Sequence, residues 1–257
     1  NIYFGGGTAG NASGYSNAGS AASYTGTLSG IYLNGGSLNA SGGDIILRGR
    51  ATTDDGVYLK GASITTNAGG TIVINSVGAH GFVFSGAASN IQTSSGYISI
   101  AATGTSWEGL GDWTTSGNNS ILSSSGLIQI SAAAASSSYY GVYKNSATGG
   151  LAYIGANSTG ASTSDIWVMT DSLGLNTSTY GEIFNSTGNL VILPFTPSTT
   201  INLGAAQAST SLALTPGYFY NATAASQNFQ SNLASVTIGN YRDTGALTFT
   251  TATVNPQ

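Results

Sequence analysis

Gly43-Asp44-Ile45-Ile46-Leu47, Gly70-Thr71-Ile72-Val73-Ile74, Gly96-Tyr97-Ile98-Ser99-Ile100 and Gly126-Leu127-Ile128-Gln129-Ile130 repeat one phrase, with the glycines 27, 26 and 30 residues apart. Looser copies follow at Gly150-Leu151-Ala152-Tyr153-Ile154 and Gly188-Asn189-Leu190-Val191-Ile192. Alternation along an extended strand puts Ile72 and Ile74 on one face and Thr71, Val73 and Asn75 on the other. A strand that recurs at a fixed period is the mark of a solenoid, in which each turn of chain buries its apolar face only by stacking on the next. The expected interior has Ile45, Ile72, Ile98 and Ile128 as one ladder and Leu47, Ile74, Ile100 and Ile130 as its neighbour.

Outward from these phrases the rest of each turn also repeats. Gly30-Ile31-Tyr32-Leu33-Asn34-Gly35-Gly36-Ser37-Leu38 aligns with Gly56-Val57-Tyr58-Leu59-Lys60-Gly61-Ala62-Ser63-Ile64, and Gly81-Phe82-Val83-Phe84-Ser85-Gly86-Ala87 begins a third copy. Each turn reads as three short strands separated by Gly, Asn and Ser, the residues that turns require. Successive turns run in the same direction, so the sheets are parallel with strands ~4.8 Å apart. The fold class is therefore all-β, a parallel β-helix with three short strands per turn of about 25 residues. About ten such turns give a rod on the order of 50 Å long.

The phrase loosens after residue 160. Asp165-Ile166-Trp167-Val168-Met169, Thr200-Ile201-Asn202-Leu203-Gly204, Leu212-Ala213-Leu214, Ser235-Val236-Thr237-Ile238-Gly239 and Ala246-Leu247-Thr248-Phe249-Thr250 are further strand candidates. Pro194 and Pro197 lack amide donors and belong at a corner. The whole of 1–257 reads as one solenoid segment, more regular over 1–160 and less regular over 161–257. Neither end carries an evident cap, and open sheet edges recruit further chain. Asn1-Ile2-Tyr3-Phe4-Gly5-Gly6 reads as the continuation of a turn begun at Thr251-Ala252-Thr253-Val254-Asn255-Pro256, so the expected partner is another copy or an adjoining repeat, end to end.

Composition narrows the function classes. Charged residues are 5% of the chain while hydrophobic residues are 40%, so the surface is covered by Ser, Thr, Asn and Gly. Five basic residues cannot assemble the stripe that nucleic acid requires. No apolar run approaches the ~20 residues that span a bilayer, so membrane insertion is not expected. Cysteine is absent, which excludes disulfides and thiolate metal sites and suits a chain exported unfolded.

The repeated phrases, each closed by Gly-x-Ile-x-Ile, together with Thr199-Thr200-Ile201-Asn202-Leu203-Gly204, Leu233-Ala234-Ser235-Val236-Thr237-Ile238-Gly239 and Thr244-Gly245-Ala246-Leu247-Thr248, resemble the repeat regions of large secreted bacterial adhesins of the filamentous haemagglutinin family. The resemblance implies a right-handed β-helix, displayed extracellularly at the cell surface, that acts in adhesion, aggregation or biofilm cohesion. It implies no catalytic residues and no cofactor.

The one local anomaly is Trp107-Glu108-Gly109-Leu110-Gly111-Asp112-Trp113. Indoles offer flat apolar faces with a polar handle. Trp107, Glu108, Asp112 and Trp113 therefore form the candidate surface contact, for glycans in particular, and the alternative function is a carbohydrate-binding or carbohydrate-active β-helix. The commoner reading is an insertion folded against the rod's flank. Glycoside hydrolysis would need Glu108 and Asp112 in one cleft. His80, the sole histidine, reads as a turn residue without partners for a metal site or a catalytic relay. Asp54-Asp55 reads as a solvated turn beside Arg48 and Arg50. Tyr32 and Tyr58, with Tyr139, Tyr140 and Tyr143, are expected to stack between turns.

Overall fold

Along Ile72–Gly78, burial alternates residue by residue: Ile72, Ile74 and Ser76 are buried while Val73, Asn75 and Val77 are half-exposed. Ile45–Arg50, Ile98–Gly104 and Ile128–Ala133 show the same alternation. The structure, a computed structural model, describes residues 1–5, 19–20, 29–145, 150–158, 160–177, 181–220 and 227–250. These residues form a β-solenoid of about five turns with about 29 residues per turn.

Each turn crosses three parallel walls. The first wall stacks Ile31–Asn34, Val57–Lys60, Phe82–Ala87, Leu110–Ser116, Val142–Lys144 and Leu173–Gly174. The second stacks Ser37–Asn39, Ser63–Thr66, Asn90–Thr93, Asn119–Ser123, Ala152–Gly155 and Glu182–Asn185. The third, here the ladder wall, runs from Ile2–Gly5 through Ile45–Arg50, Ile72–Gly78, Ile98–Gly104, Ile128–Ala133, Ile166–Thr170 and Asn189–Leu193 to Ser235–Ile238. Register is kept from turn to turn, so that Ile45, Ile72, Ile98, Ile128, Ile166 and Leu190 stand in one column. Leu47, Ile74, Ile100, Ile130, Val168 and Ile192 stand in the next, and both columns are buried.

The glycine that opens each ladder phrase has a steric reason. A Cβ on Gly70 would lie 2.3 Å from the Gly43 carbonyl oxygen, and on Gly96 or Gly126 it would lie 1.9 Å from the carbonyl oxygen of the preceding glycine in the column. The chain turns so tightly there that only hydrogen fits between successive turns. The corner also carries a column of hydroxyls that satisfies the bent backbone. Thr66 Oγ1 donates to the Gly43 carbonyl at 2.7 Å, and Thr93 Oγ1 donates to that of Gly70 at 3.1 Å while accepting from the Gly96 amide at 3.0 Å. Ser123 Oγ accepts from the Gly126 amide at 2.9 Å and Ser186 Oγ from that of Gly188 at 3.0 Å.

Some expectations change. The period is longer and the turns fewer than about ten of 25 residues, because the interval between ladder strands widens after residue 128. Gly150-Leu151-Ala152-Tyr153-Ile154 is not a ladder strand: Ala152–Gly155 belongs to the second wall, paired with Asn119–Ser123, and the ladder strand of that turn is Ile166–Thr170. Ile201–Leu203 pairs with Leu212–Leu214 on one edge and Leu247–Phe249 on the other in a separate sheet. A single helical turn, Pro216–Phe219, follows. Pro194 and Pro197 lie in the corner between Asn189–Leu193 and Ile201–Leu203. The proposed joining segment Thr251–Pro256, and Gly6, lie outside the described residues.

The alternation sets an asymmetry that mutagenesis reads directly. Ile98→Ala removes a fully buried ladder side chain and is expected to cost about 2–5 kcal/mol. Ser99→Ala, one residue on and on the outer face, is expected to stay within about 0.5 kcal/mol of the parent. Urea unfolding of the two variants checks this, and equal losses would contradict the inward and outward assignment.

Candidate functional site

A second glycine column runs through Gly30, Gly56, Gly81 and Gly109, at the corner where the ladder wall passes into the first wall. The amides of Gly30, Gly56 and Gly81 donate to the carbonyls of Asp55, His80 and Glu108, at 2.9, 3.0 and 3.1 Å. The residue ahead of each glycine is thereby stacked over its counterpart in the next turn, so Asp55, His80 and Glu108 form a short vertical ladder.

Their side chains meet. His80 Nδ1 lies 2.7 Å from Asp55 Oδ1, and Nε2 lies 3.4 Å from Glu108 Oε2. Both carboxylates are buried, whereas the histidine side chain keeps 21% of its surface. The imidazole also lies against two indoles: its centroid is 4.6 Å from that of Trp107, with planes 32° apart, and 4.7 Å from that of Trp113, which meets it edge-on at 62°. Trp113 continues to Tyr143 at 5.7 Å, and Tyr143 stacks on Tyr140 with planes 8° apart. The result is a cluster of four aromatic side chains and the imidazole, whose two ring nitrogens face carboxylates. Gly111 makes room for it, since a Cβ there would sit 1.7 Å from the Trp113 ring.

Burial raises the pKa of Glu108, only partly offset by a backbone hydrogen bond and by attraction to His80. The Tyr143 hydroxyl is pushed up as well, by burial and then by the charge of Glu108 and the neighbouring Tyr140. His80 Nδ1 is hydrogen-bonded to Asp55, while Nε2 faces Glu108 at 3.4 Å.

Of the residues singled out from sequence, Trp107, Glu108 and Trp113 gather around His80. Asp112 does not. It points into the solenoid interior, 1% exposed, with Oδ1 at 3.2 Å from Lys144 Nζ. Glu108 and Asp112 therefore serve opposite sides of the wall and share no cleft, so the paired-carboxyl geometry of glycoside hydrolysis is not formed. The reading of Asp55 as a solvated turn is likewise corrected, since it is buried against His80, and His80 is not a partnerless turn residue. Asp55 and His80 were the residues missed. The signal was present: each directly precedes a glycine of a repeated phrase, and the two are 25 residues apart, one turn. Tyr32 and Tyr58 face each other in register with centroids 5.1 Å apart.

A cavity of about 280 Å³ bordered by Tyr139, Asp171, Thr199 and Ser209 offers less. Both oxygens of its carboxylate are already taken, by Thr196 and Thr199 at 2.7 Å. Among the described residues no group of three His, Asp or Glu is placed to hold a metal, and no helix is long and apolar enough to cross a membrane.

Compared with known proteins, the chain matches no family model, no curated protein and no solved structure.

Glu108 yields a pH prediction. A carboxyl whose folded pKa lies above its ordinary 4.5 binds its proton more tightly folded than unfolded, so its burial costs stability as pH rises through and above that value. Glu108→Gln is therefore expected to gain stability relative to the parent between pH 4 and 7. Urea midpoints of both proteins across that range test it, and a difference that is flat or reversed would refute the assignment.

Proposed function

We propose that this chain is a segment of an extracellular, non-enzymatic, adhesin-like fibre, a stiff solenoid that supplies reach and carries a glycan-contact site on its flank. The observation that carries this reading is the aromatic cluster of Trp107, His80, Trp113, Tyr143 and Tyr140, with His80 held between Asp55 and Glu108. Trp107 is 40% exposed, and a fixed indole face suits the C–H faces of a pyranose ring. A shallow platform of this kind gives weak single contacts. Repetition along a fibre would turn weak contacts into firm attachment, as multivalent binding does.

Sugar binding without sugar cleavage is the favoured form, because Asp112 faces inward and is paired with Lys144. End-to-end association with further copies or adjoining repeats is supported by the two extremities. Tyr32 is 53% exposed on the outermost first-wall strand, and Leu247 and Phe249 are 55% and 75% exposed on the last strand. Among the described residues each of these strands pairs along one edge only. The near-neutral surface and the lack of cysteine fit a secreted location and speak against nucleic acid and membrane insertion as partners.

The test is binding of the folded protein to an array of immobilised oligosaccharides, repeated with the Trp107→Ala/Trp113→Ala double variant. Loss of stacking worth about 1.5 kcal/mol weakens binding about tenfold. That loss, with a cooperative thermal transition retained, is the expected result. No binding by the parent to any glycan, or equal binding by the double variant, would overturn the proposal.

A further inference from the structure

Inside the apolar solenoid lies a second polar group that the surface site does not use. Asp112 and Lys144 occupy facing positions on adjacent strands of the first wall, so the main chain itself sets them one above the other. Lys144 Nζ is 3.2 Å from Asp112 Oδ1, with the two side chains 0% and 1% exposed. Neither Nζ nor Asp112 Oδ2 has a hydrogen-bond partner. Glu182, on the second wall, is 2% exposed, and its Oε2 is also without a partner. Leu110 and Val142, on the same two strands, and Ile154 and Phe184, on the second wall, belong to the buried apolar core. Ion pairs so deeply buried usually gain additional hydrogen bonds, because desolvation of two charges exceeds their mutual attraction. Here Asp112 Oδ1 accepts one, from the Thr114 amide, while Nζ and Oδ2 have none.

We propose that Lys144 and Asp112 form an intramolecular amide cross-link, with Glu182 as the proton relay. Transfer of one proton from Nζ to the facing Asp112 carboxylate sets an amine against a carboxylic acid. The amine lone pair attacks Cγ of Asp112, forming the C–N bond. Oδ1, which accepts a hydrogen bond from the Thr114 amide at 2.9 Å, takes up the charge of the tetrahedral intermediate. Glu182 donates its proton to the departing Oδ2 hydroxyl and takes one from nitrogen. The C–Oδ2 bond breaks, one water leaves, and Glu182 is restored. No oxidant, reductant or cofactor enters the balance. Burial and repulsion from Asp112 hold Glu182 in the protonated form this role needs, its pKa pushed up to about 8 against the attraction of Lys144. The enforced alignment on neighbouring strands supplies the proximity on which this condensation depends.

Mass spectrometry of the denatured chain decides the matter. The expected mass is that of the sequence less one water. Trypsin is expected to spare the bond after Lys144, since an acylated lysine is not cleaved, leaving residues 61–242 as one peptide lighter by one water; fragmentation then places the link between Asp112 and Lys144. Glu182→Gln is expected to retain the full mass. A parent chain at full mass after prolonged incubation in the folded state, with cleavage after Lys144, overturns the proposal, and a cross-linked Glu182→Gln chain overturns the relay. The parent measurement stands whether or not the variant folds.

Discussion

Parallel backbone hydrogen bonding kept in register from one turn to the next is the constraint on which everything else in this molecule rests. It sets each residue ~4.8 Å from its counterpart in the next turn, so the choice at one position limits the choice above and below. Apolar residues become columns, as with Ile45 over Ile72 over Ile98. Where the chain bends most sharply the spacing leaves no room for a Cβ, and glycine becomes a column too. The same spacing explains the scarcity of charge. A repeated lysine or glutamate would stack like charge on like charge along the whole rod, a destabilising arrangement for directly facing residues. Serine, threonine and asparagine stack without that repulsion and cap the bent backbone as well.

Charge is tolerated where the column alternates in sign. Asp55, His80 and Glu108 place a titratable nitrogen base between two acids, and Asp112 over Lys144 places an acid over a base. The first group sits outside a glycine corner, where the imidazole reaches solvent and two indoles close over it. The second sits inside the wall. One rule of stacking thus produces both the flank site and the internal pair, and the two are separated only by which face of the first wall each side chain takes.

That distinction marks the limit of what the sequence makes legible. The ladder strands are plain in it, because Ile alternates with polar residues and a glycine opens each phrase. The site was half visible. Trp107 and Trp113 form a cluster local in sequence, whereas His80 and Asp55 lie one and two turns away and become neighbours only when the chain is folded at the period of the Gly30, Gly56 and Gly81 phrases. Asp112 misled because strand alternation gives no sign of a carboxylate directed inward; an acid two residues after Leu110 occupies an interior position by parity, against its polarity. The second half was harder for a different reason. Intervals between ladder strands of 38, 24 and 46 residues after Ile128 break the period, and Ala152–Gly155 carries a ladder-like phrase on another wall.

The inward acid also bears on how such a rod carries load. A solenoid pulled along its axis opens between turns, where many backbone hydrogen bonds act side by side but each contributes only about 1 kcal/mol net. A covalent bond joining Leu110–Ser116 to Val142–Lys144 spans one such junction. It would hold those two turns together after the hydrogen bonds around them had parted, and it would do so where the turn period is becoming irregular, between the ladder strands Ile98–Gly104 and Ile166–Thr170. A buried acid, base and proton relay have little to offer the stability of an apolar core, since well-packed hydrophobic residues serve as well or better. Asp112 and Lys144 stand at a strand-to-strand junction, in contact distance and without other hydrogen bonds to Nζ, as formation of a bond between them requires.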